Sequence, residues 1–302
     1  MVRKFSVGLL LVMLFLAGCK KTEPEIGMEI IGTEEEQPEE GQSEEKQPEE
    51  MTKETESEES ELPSDILQED KISMRNFLKT AFLPVGNTMY IWGGGWNEAD
   101  TGAGIGATTI GLHPQWAEFA ASQTDDYNAE EHRYEILNGL DCSGYIGWLV
   151  YNVMETESGK PGYVYKSTDI AGTYSELGWG EYIEAPEEFL TGDIVSMKGH
   201  VWLALGTCED GSVVLLHASP PGVSLCGTAL ADGGESEAVR LARQYMEAYA
   251  PDWQEKYPNR AVSHSYLNVE GVFRWNEDVM PLAEQYRNMK VEEVLDVIER
   301  NK

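Results

Sequence analysis

Asp141-Cys142-Ser143-Gly144-Tyr145-Ile146-Gly147-Trp148-Leu149-Val150-Tyr151-Asn152-Val153-Met154 is the stretch whose reading decides the fold. Its apolar groups at 145, 146, 149, 150 and 153 recur at helical spacing, so the run predicts a helix with one apolar face. Asp141 stands just before its first turn. A cysteine at a helix start carries chemistry. A thiol is nucleophilic only as thiolate, and the free N–H groups and positive dipole end of a helix favour that anion. The same N–H groups suit a developing oxyanion. The plainer alternative for Cys142 is one more small buried residue, and its neighbours have to decide.

Downstream lie two apolar runs that each carry a histidine. Gly192-Asp193-Ile-Val-Ser-Met-Lys-Gly-His200 leads into Val201–Gly206, and Val213-Val-Leu-Leu-His217-Ala-Ser219 follows. Thr-Cys-Glu-Asp-Gly-Ser between them is a turn signal. A loop at 207–210 sets His200 opposite His217. A loop at 208–211 sets His217 opposite Trp202, one same-face step from His200. A two-residue loop at 210–211 keeps both on one face but four residues apart. The longer loops suit a shared site. A thiol with two histidines supplies a nucleophile, a base and an orienter, although a strand histidine satisfied by a neighbouring carbonyl is the bland reading of each. Residues 193–197, 200–206, 213–218 and 271–275 read as strands, and 73–83, 236–249 and 280–299 as helices. Runs of helix followed by runs of strand predict an α+β fold.

Upstream, Asn87-Thr88-Met89-Tyr90-Ile91-Trp92-Gly93-Gly94-Gly95 is a short apolar piece that runs into glycines. Taken in order, Tyr90-Ile-Trp92-Gly-Gly, Asp141-Cys142-Ser143-Gly144, and Gly192-Asp193 with His200 leading a strand resemble the NlpC/P60 cysteine peptidases. His217 stands where that family places its third polar residue. The resemblance covers about residues 85–225. It implies a papain-like core with Cys142 as nucleophile, His200 as base and His217 as orienter. Tyr90, Trp92, Asp141 and Ser143 would contact the substrate, the pocket near its amino end included. The implied reaction is thiol-dependent hydrolysis of peptidoglycan stem peptide between D-γ-glutamyl and a diamino acid, with no metal or organic cofactor. Two relatives of that reading are an amidase that frees the whole stem peptide and an inactive binder of wall peptide. A substrate-binding lipoprotein of a transporter is a more distant rival. Residues 96–139 depart from the family by their length. They read as a partly irregular insertion, serving as a lid, a specificity wall or surface decoration.

The N-terminus reads as an export leader. Arg3 and Lys4 precede an apolar stretch from Phe5 to Leu16, short of the roughly 20 residues a membrane span needs. Leu16-Ala17-Gly18-Cys19 resembles the bacterial lipobox, which implies lipidation of Cys19 after removal of the leader and anchorage outside the cell. Residues 20–69 read as a disordered acidic tether, and the catalytic domain as 70–302. Residues 21–70 hold 20 acids against three lysines, and the chain's net charge is −32. That field disfavours nucleic acid as a partner. Gly102–Ala107 fits a loose dinucleotide pattern without the flanking strand and helix, so it reads as a flexible loop. His113, His132 and His264 lack metal-ligand spacing. Cys208 and Cys226 either pair or remain free thiols, and the residues after about 230 carry no legible motif.

Overall fold

The computed structural model describes residues 71–300. The leader, Cys19 and the acidic tether therefore lie outside the described residues. The expected first helix is α1 (Met74–Phe82), capped by the Ser73 hydroxyl, which accepts from Asn76 N–H at 3.3 Å. Met74, Phe77, Leu78, Ala81 and Phe82 are its buried side, at the spacing of three and four that one helix face requires. A short strand, β1 (Met89–Tyr90), leads into the glycine turn. Residues 96–139 then contribute a 3-10 turn at Ile105–Ala107 and a helix, α2 (Pro114–Ser122). β2 (Gly139–Leu140) lies parallel beside β1 and delivers the chain straight into α3 (Cys142–Met154).

The spacing in α3 predicts one apolar face, but every residue from Cys142 to Val153 is buried. Helices apolar all round are core helices, and residues 96–139 help to bury this one. Trp116 is fully buried and meets Trp148 edge-on, with centroids 5.8 Å apart. Trp148 Nε1 donates to Gly111 O at 3.0 Å. The Asn152 amide donates to Thr109 O and accepts from Gly111 N–H. Ala107, Trp116 and Ala120 of residues 96–139 thus join the core, although the segment's glycines and acids read as loop.

The remaining elements are α4 (Ile170–Glu176), β3 (Gly180–Ile183), β4 (Ile194–Met197), β5 (His200–Thr207), β6 (Val213–Ser219), β7 (Gly222–Thr228), α5 (Glu237–Tyr249), α6 (Pro251–Lys256), β8 (Ala261–Val262), β9 (Gly271–Trp275), α7 (Ala283–Arg287) and α8 (Val291–Glu299). The described strands form one curled, mostly antiparallel sheet in the order β2-β1-β7-β6-β5-β4-β9-β3, with β8 parallel beside β7. The fold is α+β, as expected. One face of the central strands (Val201, Leu203, Leu216, Leu225) joins the large core around α1 and α3. The other (Trp202, Ala204, Leu215, Cys226) forms a smaller core against Phe189, with Tyr266 and Leu267 packed on it.

Two expectations need correction. The 280–299 helix is two pieces. Leu282 is left-handed (φ 71°), and the Glu277 carboxylate accepts from Leu282 and Glu284 N–H, so a new helix begins there. The Glu293 carboxylate then accepts from Lys290 N–H and starts α8. The β5–β6 turn occupies 208–212, longer than any loop considered. Pairs Thr207↔Val213 and Gly206↔Val214 shift at Leu205 to Ala204↔Leu215 and Leu203↔Leu216. This bulge restores the register that extends to Trp202 opposite His217.

Asp193, fully buried ahead of β4, accepts from Arg274 Nε at 2.9 Å and Nη2 at 2.7 Å, and from Leu190 N–H at 2.9 Å. Burial raises its pKa, and the Arg274 bonds act against that rise. Arg274→Met leaves the carboxylate without its cation and should cost about 3 kcal/mol of stability at neutral pH. Urea unfolding measures the loss. The loss should shrink as pH falls through the raised folded pKa, because a protonated Asp193 no longer needs a cation.

Candidate active site

The site begins where a glycine turn sits on a helix start. Asp141 N–H donates to Gly94 O at 2.9 Å, and Gly93 N–H donates to Asp141 Oδ2 at 3.2 Å. Asp141 Oδ1 accepts from Gly144 N–H at 2.7 Å, which caps α3, and from the Ser143 hydroxyl at 2.9 Å. The two chains touch. A Cβ on Gly144 would lie 2.0 Å from Gly94 O, and one on Gly95 would lie 2.5 Å from Gly144 Cα. Trp96 Nε1 donates to Ser143 Oγ at 3.0 Å and closes this corner.

Cys142 emerges from the corner at the base of a cleft of about 460 Å³. Tyr90, Trp92, Asp141 and Ser143 line the same cleft, as do Trp96 and Lys166. Trp92 is 46 % exposed at the rim, and the Arg133 guanidinium lies 4.6 Å over its ring. The main chain of Val201, next to His200, hydrogen-bonds to the Cys142 thiol. The start of β5 therefore stands beside Cys142. His200 Nε2 lies 3.1 Å from His217 Nδ1. That bond occupies Nε2 and leaves Nδ1 as the His200 nitrogen free to serve a thiol. His217 is buried behind it at 4 % exposure.

Burial sets the electrostatics. It pushes the Cys142 thiol up to about 12, with the adjacent Asp141 charge adding to the rise and hydrogen bonds from Val201 and Ser143 opposing it. It pushes His200 down to about 4. His217 is also held well below the ordinary imidazole range, through burial, then His200 and then the Arg260 charge. Asp141 rises to about 6 through burial, against its hydrogen bonds from Gly144, Ser143 and Gly93. At neutral pH the resting thiol and both imidazoles are uncharged.

Five of the site positions read from the described sequence, Tyr90, Trp92, Asp141, Cys142 and Ser143, thus line one cleft, and His200 and His217 form a bonded pair next to Gly199 of its wall. Three more participants carried no signal in the sequence. Trp96 and Lys166 lie in segments without periodicity, and Tyr266 lies beyond the motifs. The Tyr266 hydroxyl is 3.5 Å from His217 Nδ1. The other histidines have local roles. His113 caps α2, His132 stacks on Tyr127 and bonds Glu135, and His264 bonds Ala229 O. Cys208 and Cys226 are free thiols. Among the described residues no cluster of three or more His, Cys, Asp or Glu side chains is arranged to hold a metal ion. No protein-family model, curated protein or solved structure matches the chain.

The raised thiol makes a direct prediction. Alkylation of Cys142 by iodoacetamide, followed by peptide mass mapping, should be slow at pH 7 and climb throughout the alkaline range. A rate plateau already complete in mild acid would reveal a preformed thiolate–imidazolium pair and contradict the neutral resting state.

Proposed function

We propose that the chain is a cysteine peptidase of the NlpC/P60 kind, with a papain-like core, that hydrolyses peptidoglycan stem peptide at the D-γ-glutamyl–diamino acid bond. In this reading lipid on Cys19 holds it at the outer side of a bacterial membrane. The observation that carries the reading is a helix-start thiol in the cleft, hydrogen-bonded by the main chain of Val201, whose neighbour His200 is bonded to His217. The order of the motifs along the chain supports the same family.

The neutral resting state favours general-base attack over a standing ion pair. Cys142 Sγ attacks the amide carbonyl carbon while His200 Nδ1 takes the thiol proton. Gly144 N–H is committed to Asp141, so the Cys142 N–H is the helix-start donor suited to the oxyanion. Collapse breaks the C–N bond, and the leaving amine takes the proton from His200. Water then attacks the thioester, gives a proton to His200, and releases a carboxylate and the thiol. A γ-linked glutamate keeps its α-carboxylate free. Lys166 is the basic side chain lining the cleft, and its ammonium suits that group.

The test is turnover of purified muropeptides by the full-length chain, read by mass spectrometry, with Cys142→Ala alongside. The expected result is a cut after the γ-linked glutamate that the variant lacks. Release of the whole stem peptide would make the protein an amidase, and intact peptides in both samples would make it a binding protein. Lys166→Met should raise KM about ten-fold with kcat held, the mark of lost carboxylate binding rather than lost chemistry.

A further inference from the structure

His217 Nδ1 has two polar neighbours. His200 Nε2 lies 3.1 Å away and the Tyr266 hydroxyl 3.5 Å away. The Tyr266 ring also stands against both imidazoles, with its centroid 5.3 Å from that of His200 and 5.8 Å from that of His217. Tyr266 belongs to the 3-10 turn His264–Leu267, which follows β8. It reaches the histidines from the part of the chain that carries no motif.

Two neutral imidazoles joined through one bond have two tautomeric arrangements. In the first, His217 carries its proton on Nδ1 and donates to His200 Nε2. His200 then holds its own proton on Nδ1 and cannot accept one from the thiol. In the second, His217 Nδ1 is bare and His200 Nε2–H donates to it. His200 Nδ1 then keeps the lone pair that a base needs. A second donor aimed at His217 Nδ1 selects the second arrangement. Tyr266 is placed to be that donor: its hydroxyl stands 3.5 Å from His217 Nδ1, and the Ser219 side chain bonds to the same hydroxyl. Arg260 adds to this. Its guanidinium is buried, Nε and Nη1 have no hydrogen-bond partner among the described residues, and its charge acts on His217. A cation there opposes a proton moving on from His200 to His217.

We infer that Tyr266 is a positioning residue of this site, whose hydroxyl keeps His217 Nδ1 unprotonated and so sets His200 in the tautomer able to take the Cys142 proton. Its consequence for turnover rests on the peptidase reading, but the tautomer does not.

The experiment is long-range 1H–15N spectroscopy of the full-length chain labelled at histidine nitrogens, on wild type and on Tyr266→Phe, which keeps the ring. Wild type should show both His200 and His217 protonated on Nε2. In Tyr266→Phe the His217 Nδ1 resonance should move toward its protonated position, and kcat on muropeptide should fall about ten-fold with KM unchanged, the scale of one lost hydrogen bond. Ser219→Ala should shift the same resonance in the same direction by less. A wild-type His217 protonated on Nδ1 would overturn the proposal without any variant. So would identical tautomers in a folded Tyr266→Phe, which would reduce Tyr266 to packing. Shifted tautomers together with no muropeptide turnover in wild type would uphold the Tyr266 role and remove the peptidase reading instead.

Discussion

The seating of the Gly93–Gly95 turn on the first turn of α3 is the contact from which the site is built. It leaves no room for a side chain at Gly144, whose Cβ would meet Gly94 O at 2.0 Å. It is held by one buried carboxylate that serves three partners, Gly93 N–H, Gly144 N–H and the Ser143 hydroxyl. Burying a carboxylate is unfavourable, and the rise of Asp141 to about 6 measures how incompletely those bonds offset the lost water. What the arrangement achieves is position. Tyr90 and Trp92 on one strand end, and Cys142 and Ser143 on the helix, are brought to one cleft by a single joint.

The same burial shapes the chemistry. Burial raises the Cys142 thiol to about 12 and lowers His200 to about 4, which favours the neutral form of each at rest. In the proposed peptidase, proton transfer would then accompany bond formation, and a base that acts in concert needs its lone pair already aimed. This raises the importance of the ring behind His200. With a standing ion pair, the His200 tautomer would be irrelevant, since an imidazolium carries both protons. With a neutral base, the tautomer would decide whether the proposed reaction can begin.

Sequence periodicity placed α1, α3, α5 and the strands β4, β5, β6 and β9 closely, because the helices carry apolar groups at helical spacing and the strands are short, mostly apolar runs bounded by turn residues. It did not place β7. Its sequence Gly-Val-Ser-Leu-Cys-Gly-Thr begins with one glycine and nearly ends with another, and glycine there reads as a turn. Both glycines answer tertiary crowding. A Cβ on Gly222 would lie 2.3 Å from Thr88 O, and one on Gly227 2.3 Å from the Ala238 backbone. Such contacts between distant segments leave no local period. The candidate site was legible for the opposite reason, since its residues sit at element ends that the periodicity marks. Trp96, Lys166 and Tyr266 sit in irregular segments, and nothing along the chain announces them.

The residues after 230 show how little the absence of a motif implies. His200 and His217 are bonded to each other across β5 and β6 and packed against the Tyr266 ring. Tyr266 and Arg260, both from this region, close around them. An imidazole pair left open to water would titrate near its ordinary range, and bulk water would compete for His217 Nδ1. The cover supplied by the C-terminal region therefore favours the neutral, oriented imidazole that the proposed reaction needs. A fold that ended at β7 could bring the thiol and the histidines together and still leave His200 free to hold its proton on the wrong nitrogen.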